Sequence, residues 1–213
     1  MNKTLAMATI AAFCGSAAVT GLALSARSTS QPELAPGHPL ASVFQQDQQA
    51  MMDAWMASAQ TGPAHEWLGQ FVGTWKTKMS MSMEGQEMVS EGTATYEWLI
   101  PGRFLSQRYE GDMMGAPMSG FGITGFDNLK RQFVGCWVDS MGTGILSMQG
   151  SLDPSGKIQS MVGMMDEPMT GEHGKAVLWV TTLIDANHFK FEAREILYGE
   201  AWTVFTIEYS RAD

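Results

Sequence analysis

Cysteine is almost absent from this 213-residue chain: Cys14 and Cys136 are the only two. If Cys14 leaves with the N-terminal segment, Cys136 stands alone, and the fold must rest on its core without an internal disulfide. The four histidines, His38, His65, His173 and His188, are scattered. None makes a His-x-x-His or Cys-x-x-Cys spacing, so the sequence offers no convergent ligand set for zinc or non-haem iron. Basic residues are few, 13 Lys and Arg against 22 Asp and Glu, and they form no stripe or cluster. Nothing here would neutralise a phosphate backbone, which excludes nucleic acid as a partner. A Gly-x-Ser-x-Gly nucleophile elbow and a phosphate-cradling glycine loop are also missing. Long helical patterns are lacking beyond residue 73.

What fills that stretch is one short strand after another. Alternating apolar and polar residues are cut about every ten positions by turn chemistry: Glu84-Gly85-Gln86, Pro101-Gly102-Arg103, Asp127-Asn128, Asp153-Pro154-Ser155-Gly156 and Asp185-Ala186-Asn187. The cleanest alternation runs from Trp75 to Met83. Trp75, Thr77, Met79, Met81 and Met83 share one face, and Lys76, Lys78, Ser80 and Ser82 share the other. Further strands are expected near 87–98, 103–110, 118–126, 131–139, 143–151, 157–165, 174–184, 188–198 and 201–210. Short loops between neighbours predict hairpins, hence an all-β, up-and-down antiparallel β-barrel of about ten strands over residues 63–213. Gly120, Gly122 and Gly125 interrupt one strand, where missing side chains allow sharp coiling or the close approach of another backbone.

Ahead of the barrel, Met1-Asn2-Lys3 puts one positive charge before an uncharged, alanine-rich run that ends at Leu24-Ser25-Ala26. This is the layout of a secretory signal over residues 1–26, cleaved after Ala26, and predicts a periplasmic or secreted protein. The run is also long enough to span a bilayer, so an uncleaved anchor is the alternative and the one expected route to a membrane. Cys14 lies mid-run behind Phe13, which argues against lipidation. Residues 27–41 read as a linker with three prolines. Residues 42–62 read as an amphipathic helix N-capped by Ser42, with Val43, Phe44, Met51, Met52, Trp55 and Met56 on the face expected to lie on the barrel wall or mouth. Pro63 opens a second helical turn that brings Trp67, Leu68 and Phe71 onto one face.

A helical turn leading into Gly73-Thr74-Trp75 at the head of a ten-strand meander resembles the start of lipocalins and fatty-acid-binding proteins. Pro101-Gly102-Arg103-Phe104-Leu105, Gly122-Ile123-Thr124-Gly125-Phe126-Asp127-Asn128, Trp137-Val138-Asp139-Ser140 and Asp166-Glu167-Pro168-Met169-Thr170-Gly171 follow in order. As a set, over about His65 to Tyr209, they resemble the DUF1579 family of bacterial proteins of unknown function. Phe126 stands where that family more often has tyrosine. The resemblance implies a calycin-like barrel and brings neither an activity nor binding residues.

The residues themselves point to a binder. Tyr96, Arg108, Trp137, Glu195 and Trp202 are the candidate lining of a lumen for a small apolar or amphipathic ligand, and no cofactor is required. In Phe189-Lys190-Phe191-Glu192-Ala193-Arg194-Glu195, strict alternation turns Glu195 inward, with Arg108 or Arg103 as its expected partner. A bulge that turns it outward is the alternative. Other classes remain. A filled barrel would leave the N-terminal helix to dock a partner or membrane surface. An interior carboxylate could serve isomerase- or hydrolase-like chemistry. Methionine, at 18 residues, raises the question of Cu(I) on the Met79-x-Met81-x-Met83 face, although same-face neighbours lie about seven ångströms apart and methionine is also an adaptable filler. His188 in its turn could reach haem iron from a barrel rim, against the plainer reading of an exposed turn histidine. Asp139 reads as a turn-capping carboxylate, and Cys136 as a buried small hydrophobe.

Overall fold

A computed structural model describes residues 39–212, apart from 84, 114, 168–169 and 198–199. The segment read as a signal, and the linker up to residue 38, lie outside the described residues. The chain divides into two compact units, Met1–Gln49 and Ala50–Asp213, with the boundary inside the first helix.

Helix α1 spans Pro39–Ser58 and α2 spans Pro63–Leu68, followed by a 3-10 turn at Gly69–Phe71. Ser42 lies within α1 and does not stand at its start as expected. Ten strands follow: β1 Gly73–Met83, β2 Gln86–Ile100, β3 Phe104–Met113, β4 Ala116–Asp127, β5 Gln132–Asp139, β6 Leu146–Leu152, β7 Ile158–Glu167, β8 Glu172–Asp185, β9 His188–Leu197 and β10 Glu200–Arg211. Each strand pairs antiparallel with its neighbours in sequence, and β1 pairs with β10 to close the barrel. The turns form as their chemistry dictates. At Asp153–Gly156 the aspartate Oδ1 accepts the amides of Lys157 and Ile158 at 3.1 and 2.9 Å. Gly156 there adopts a left-handed φ of 73°.

Alternation sets the two faces. Trp75, Thr77 and Met79 of β1 are buried inside, while Lys76 and Lys78 are exposed. The inward register runs on through Ala94, Leu105, Tyr109, Phe133, Met161, Val177, Trp179, Phe189, Ala193 and Tyr209, which with Trp67, Leu68 and Phe71 form one core. The lower barrel is therefore filled with aromatic rings. Phe189 and Tyr209 stack at 4.0 Å, and Phe71 and Trp75 meet the edge of Phe189 at 5.0 and 4.7 Å.

The α2 segment closes this lower end. Trp75 Nε1 donates to the Phe71 carbonyl at 2.7 Å, and Trp67 Nε1 reaches the Gly156 carbonyl at 2.9 Å. Arg211, opposite Trp75 at the end of β10, fastens the plug. Its guanidinium lies 4.2 Å from the Trp75 ring centre and donates to the carbonyls of Val72, Gln70 and Ala186 at 2.9, 3.1 and 3.2 Å. Charged donors to carbonyls are the stronger hydrogen bonds. Arg211→Ala is therefore expected to lower stability by about 3 kcal/mol, read as an earlier urea midpoint at unchanged slope. Arg211→Lys should recover only part of that loss, because a single ammonium cannot span three carbonyls.

The described residues of the apolar face of α1 do not pack down on the barrel as expected; the side chains of Val43 and Phe44 lie outside the described residues. Met51, Met52, Trp55 and Met56 are 48–62 % exposed. The helix is held instead at its C-terminal end. Asn128 Nδ2 donates to the Ser58 and Gln60 carbonyls at 2.8 and 2.6 Å, and Arg103 donates to the Ala59 carbonyl.

Candidate functional site

The open end of the barrel lies opposite the α2 plug, where the turns after β1, β3, β5, β7 and β9 gather. Its inner wall is rich in methionine. Met79, Met81, Met88, Met113, Met118, Met148, Met161 and Met165 all occupy inward register positions, with Met81 directly opposite Met88. Met164, by contrast, points outward and is 64 % exposed. The side chain of Met83, third of the face considered for Cu(I), lies outside the described residues. Among the described residues no three His, Cys, Asp or Glu side chains gather as a metal site.

An ion pair sits on this inner wall. Glu195 of β9 is opposite Val177, which is buried, so its side chain faces the lumen. Lys175, one inward step further along β8, meets it at 2.7 Å between Nζ and Oε1, with side-chain exposures of 14 and 23 %. The hydrogen bond that the Lys175 ammonium donates to Glu195 holds it above its ordinary pKa. A pair this sheltered has been moved out of bulk water at a cost, which hydrophobic packing alone would have avoided.

The inward reading of Glu195 agrees with the structure; its expected partner does not. Arg108 alternates with the inward Gln107 and Tyr109, so it stands on the outer wall, exposed, 5.1 Å from the Phe121 ring. Arg103 is outside as well, at the closed end on Ala59. Trp137 faces in and lies across β4: a Cβ on Gly120 would come within 2.2 Å of its ring, and one on Gly122 within 3.0 Å. These glycines make room for a side-chain ring rather than for another backbone. Asp139 both orients Trp137, accepting its indole N–H at 2.8 Å, and caps the following turn through the Met141 amide at 2.9 Å.

Tyr96 faces inward but deep in the filled half. Its hydroxyl is bonded to that of Tyr209, and burial pushes both phenols well above tyrosine's ordinary pKa. Trp202 is opposite Glu195 at the mouth and 60 % exposed, beyond a bulge between Thr203 and Phe205 that returns Phe205 to the inward face. Of the five candidates, Trp137, Glu195 and Trp202 thus belong to the open half, Tyr96 to the core and Arg108 to the outer wall.

Some inward polar residues escape sequence reasoning. Ser90 Oγ, Gln159 Nε2 and Trp179 Nε1 are buried and have no hydrogen-bonding partner among the described residues. Lys175 was missed because β8 is apolar on both faces: Ala176, Leu178 and Val180 alternate with Val177 and Trp179, so no parity could be read. The grooves outside the lumen are weaker candidates. One, of about 210 Å³, runs between Ser58 and Asn128; another, of about 370 Å³, lies beside His188 and Arg211. Their polar groups are already paired. Asn128 is bonded to α1 carbonyls, and His188 Nδ1 lies 2.9 Å from Asp185 Oδ1. His188 is at the closed end, in an exposed turn, which leaves the haem reading no mouth to act from. Cys136 faces outward and is half-buried, not enclosed in the core as expected.

Residues 60–211 match the profile of a family described as protein of unknown function (DUF1579). Among solved structures, the barrel resembles Rv2717c from M. tuberculosis, at 12 % identity and a TM-score of 0.52, over 72 % of this chain and 100 % of that one. It also resembles the S-type phycobiliprotein lyase CPES from Guillardia theta, at 10 % identity and a TM-score of 0.50, over 74 % of this chain and 96 % of that one. At such identities the likeness is one of fold. No curated protein matches the sequence.

Proposed function

Because the chain belongs to the DUF1579 family, whose description carries no activity, we propose its function from the barrel itself: it binds a small apolar or amphipathic ligand in the open half of the lumen. The observation that carries this reading is the sheltered Lys175–Glu195 pair set into a methionine-lined wall. An ion pair adds little to the stability of a barrel, whereas a few placed polar groups in an apolar pocket are what orients a ligand. Methionine side chains have three rotatable bonds and a polarisable sulfur, so they repack around a guest at low cost. Trp137 and Trp202 would cover the ligand's body while Lys175 and Glu195 meet its polar end. The signal-like run at residues 1–26 supports a site of action outside the cytoplasm. The likeness to a phycobiliprotein lyase lends no substrate.

Native mass spectrometry of the protein purified from the periplasm without detergent tests this. A discrete adduct is expected on the wild type and at least tenfold less of it on Lys175→Met, with both proteins equally folded. A bare mass for the wild type at every collision energy, together with no gain in melting temperature from added amphiphiles, speaks against it.

A second reading rests on the exposed Met51, Met52, Trp55 and Met56: the helix is the working surface and docks a partner. In that case deletion of residues 39–58 abolishes the interaction while leaving lumen binding intact.

A further inference from the structure

The outer wall of the barrel is charged on one side only. Strands β9, β10, β1, β2 and β3 carry charges along their outward faces, among them Lys190, Glu208, Lys78, Glu91 and Arg108. Strands β4 to β8 are consecutive around the barrel, and away from the strand ends their outward faces carry no charge among the described residues. Register draws a row across the middle of this second side: Val134, Gln149, Val162 and Leu178 stand next to one another on β5, β6, β7 and β8. Cys136 is opposite Ser147 in the row above, and Met164 is opposite Ala176. Val162, Met164 and, in the loop after β5, Met141 and Ile145 are exposed. Folding does not require such a wall, because its side chains point away from the core. Soluble proteins ordinarily intersperse charge over their surface, and a large patch without it marks a contact.

We propose that this wall is where a second copy of the chain docks, across a two-fold axis at β6. Charge selects that occupant. The chain carries a net charge of −9, so two copies repel wherever their charged sides meet, and across β4 to β8 they can approach without setting like charges together. The same neutrality gives a foreign partner no charge to recognise, and offers anionic lipid headgroups no lysine or arginine. The layout is also self-complementary. β6 is the middle strand of the five, and its outward Ser147, Gln149 and Ser151 both donate and accept, so each can bond its own image. Gln132 Nε2 donates to Gln149 Oε1 at 3.0 Å, which orients that amide. Apolar strips flank β6, with Val134 and Cys136 on β5 and Val162 and Met164 on β7. An axis along β6 lays the β5 strip of one copy on the β7 strip of the other. The extent fits as well. Five strands cover roughly 24 Å around the barrel, and β7 from Ile158 to Met164 runs about 23 Å along it. Their product, about 550 Å² before side-chain relief is counted, is on the order of what each partner gives to a standard interface.

Sedimentation equilibrium of the protein purified from the periplasm tests this, whether or not the lumen is occupied. One monomer–dimer equilibrium is expected, with a dissociation constant in the micromolar range or tighter and no larger species, because an isologous contact closes at two copies. Val162→Glu and Val162→Lys each set a charge at the centre of the contact. Both should weaken the dimer at least about a hundredfold, the size of loss that an unpaired buried charge produces. An effect of net charge alone would instead move the two variants in opposite directions. Val162 points outward and is exposed in the single chain, so both variants should keep the circular dichroism and urea midpoint of the wild-type monomer. Thr93→Glu adds a charge to the exposed outward face of β2 and should leave the dimer intact. A wild type that stays monomeric at every concentration overturns the proposal, as does a dimer that survives both Val162 substitutions. A monomer that floats with phosphatidylcholine vesicles, and ceases to with Val162→Glu, overturns it in favour of lipid. Species that keep growing with concentration overturn the two-fold arrangement.

Discussion

Gly150→Ala is expected to remove a large part of the protein's stability, although it adds a single methyl group. Gly150 lies on the inward face of β6 between Phe133 of β5 and Met161 of β7. A Cβ there would stand 1.9 Å from the Ser160 carbonyl oxygen and 2.6 Å from the Met161 Cα. Both are backbone atoms of the paired strand. A flexible side chain could rotate away, but here the β6–β7 ladder itself must part, with loss of hydrogen bonds on a seam of a closed barrel. A cost above about 4 kcal/mol follows, against a total stability of roughly 5–15 kcal/mol for a domain. Gly142, in the loop between β5 and β6, has nothing within 4 Å of its added Cβ, and Gly142→Ala should stay within about 0.5 kcal/mol of wild type. Urea titrations of the two variants side by side decide the matter. A Gly150→Ala protein within 1 kcal/mol of wild type would mean that β6 and β7 do not pair in this register.

Alkaline unfolding is the second large effect. Burial raises the phenols of Tyr96 and Tyr209, which share a hydrogen bond, while in the unfolded chain both titrate near 10. Below that value both states keep the proton and stability does not depend on these groups. Above it the unfolded chain releases protons that the native state retains, so the unfolded state gains and stability falls as pH rises toward the folded values. The slope is about 1.4 kcal/mol per pH unit for each such tyrosine, hence roughly 3 kcal/mol from Tyr209 alone by pH 12. Tyrosinate absorbance should therefore appear together with loss of the near-ultraviolet circular dichroism, as one cooperative step. Tyr209→Phe should flatten the slope above pH 10. Smooth titration near that value with native dichroism intact would show these hydroxyls to be accessible.

Much of this architecture was legible in the chain because β-structure announces itself locally. Strands of period two, broken by Asp, Asn, Gly and Pro at regular intervals, leave few alternatives to a meander, and the ten observed strands fall close to the expected spans. The inward turn of Glu195 followed from Phe189, Phe191 and Ala193 at alternating positions. The same rule, applied to Leu105 and Tyr109, would have put Arg108 outside.

The sequence by itself determined the barrel, its handful of charges and the faces of its amphipathic strands, since each depends on residues within one turn or one strand. Tertiary structure alone decided which partner Glu195 meets and that Trp137 beds on Gly120 and Gly122. It also decided that the methionines line the mouth and that Met51, Met52, Trp55 and Met56 of α1 stand exposed. These depend on register and closure. A β-strand fixes only which side a residue faces, and the shear of the closed sheet fixes what stands opposite.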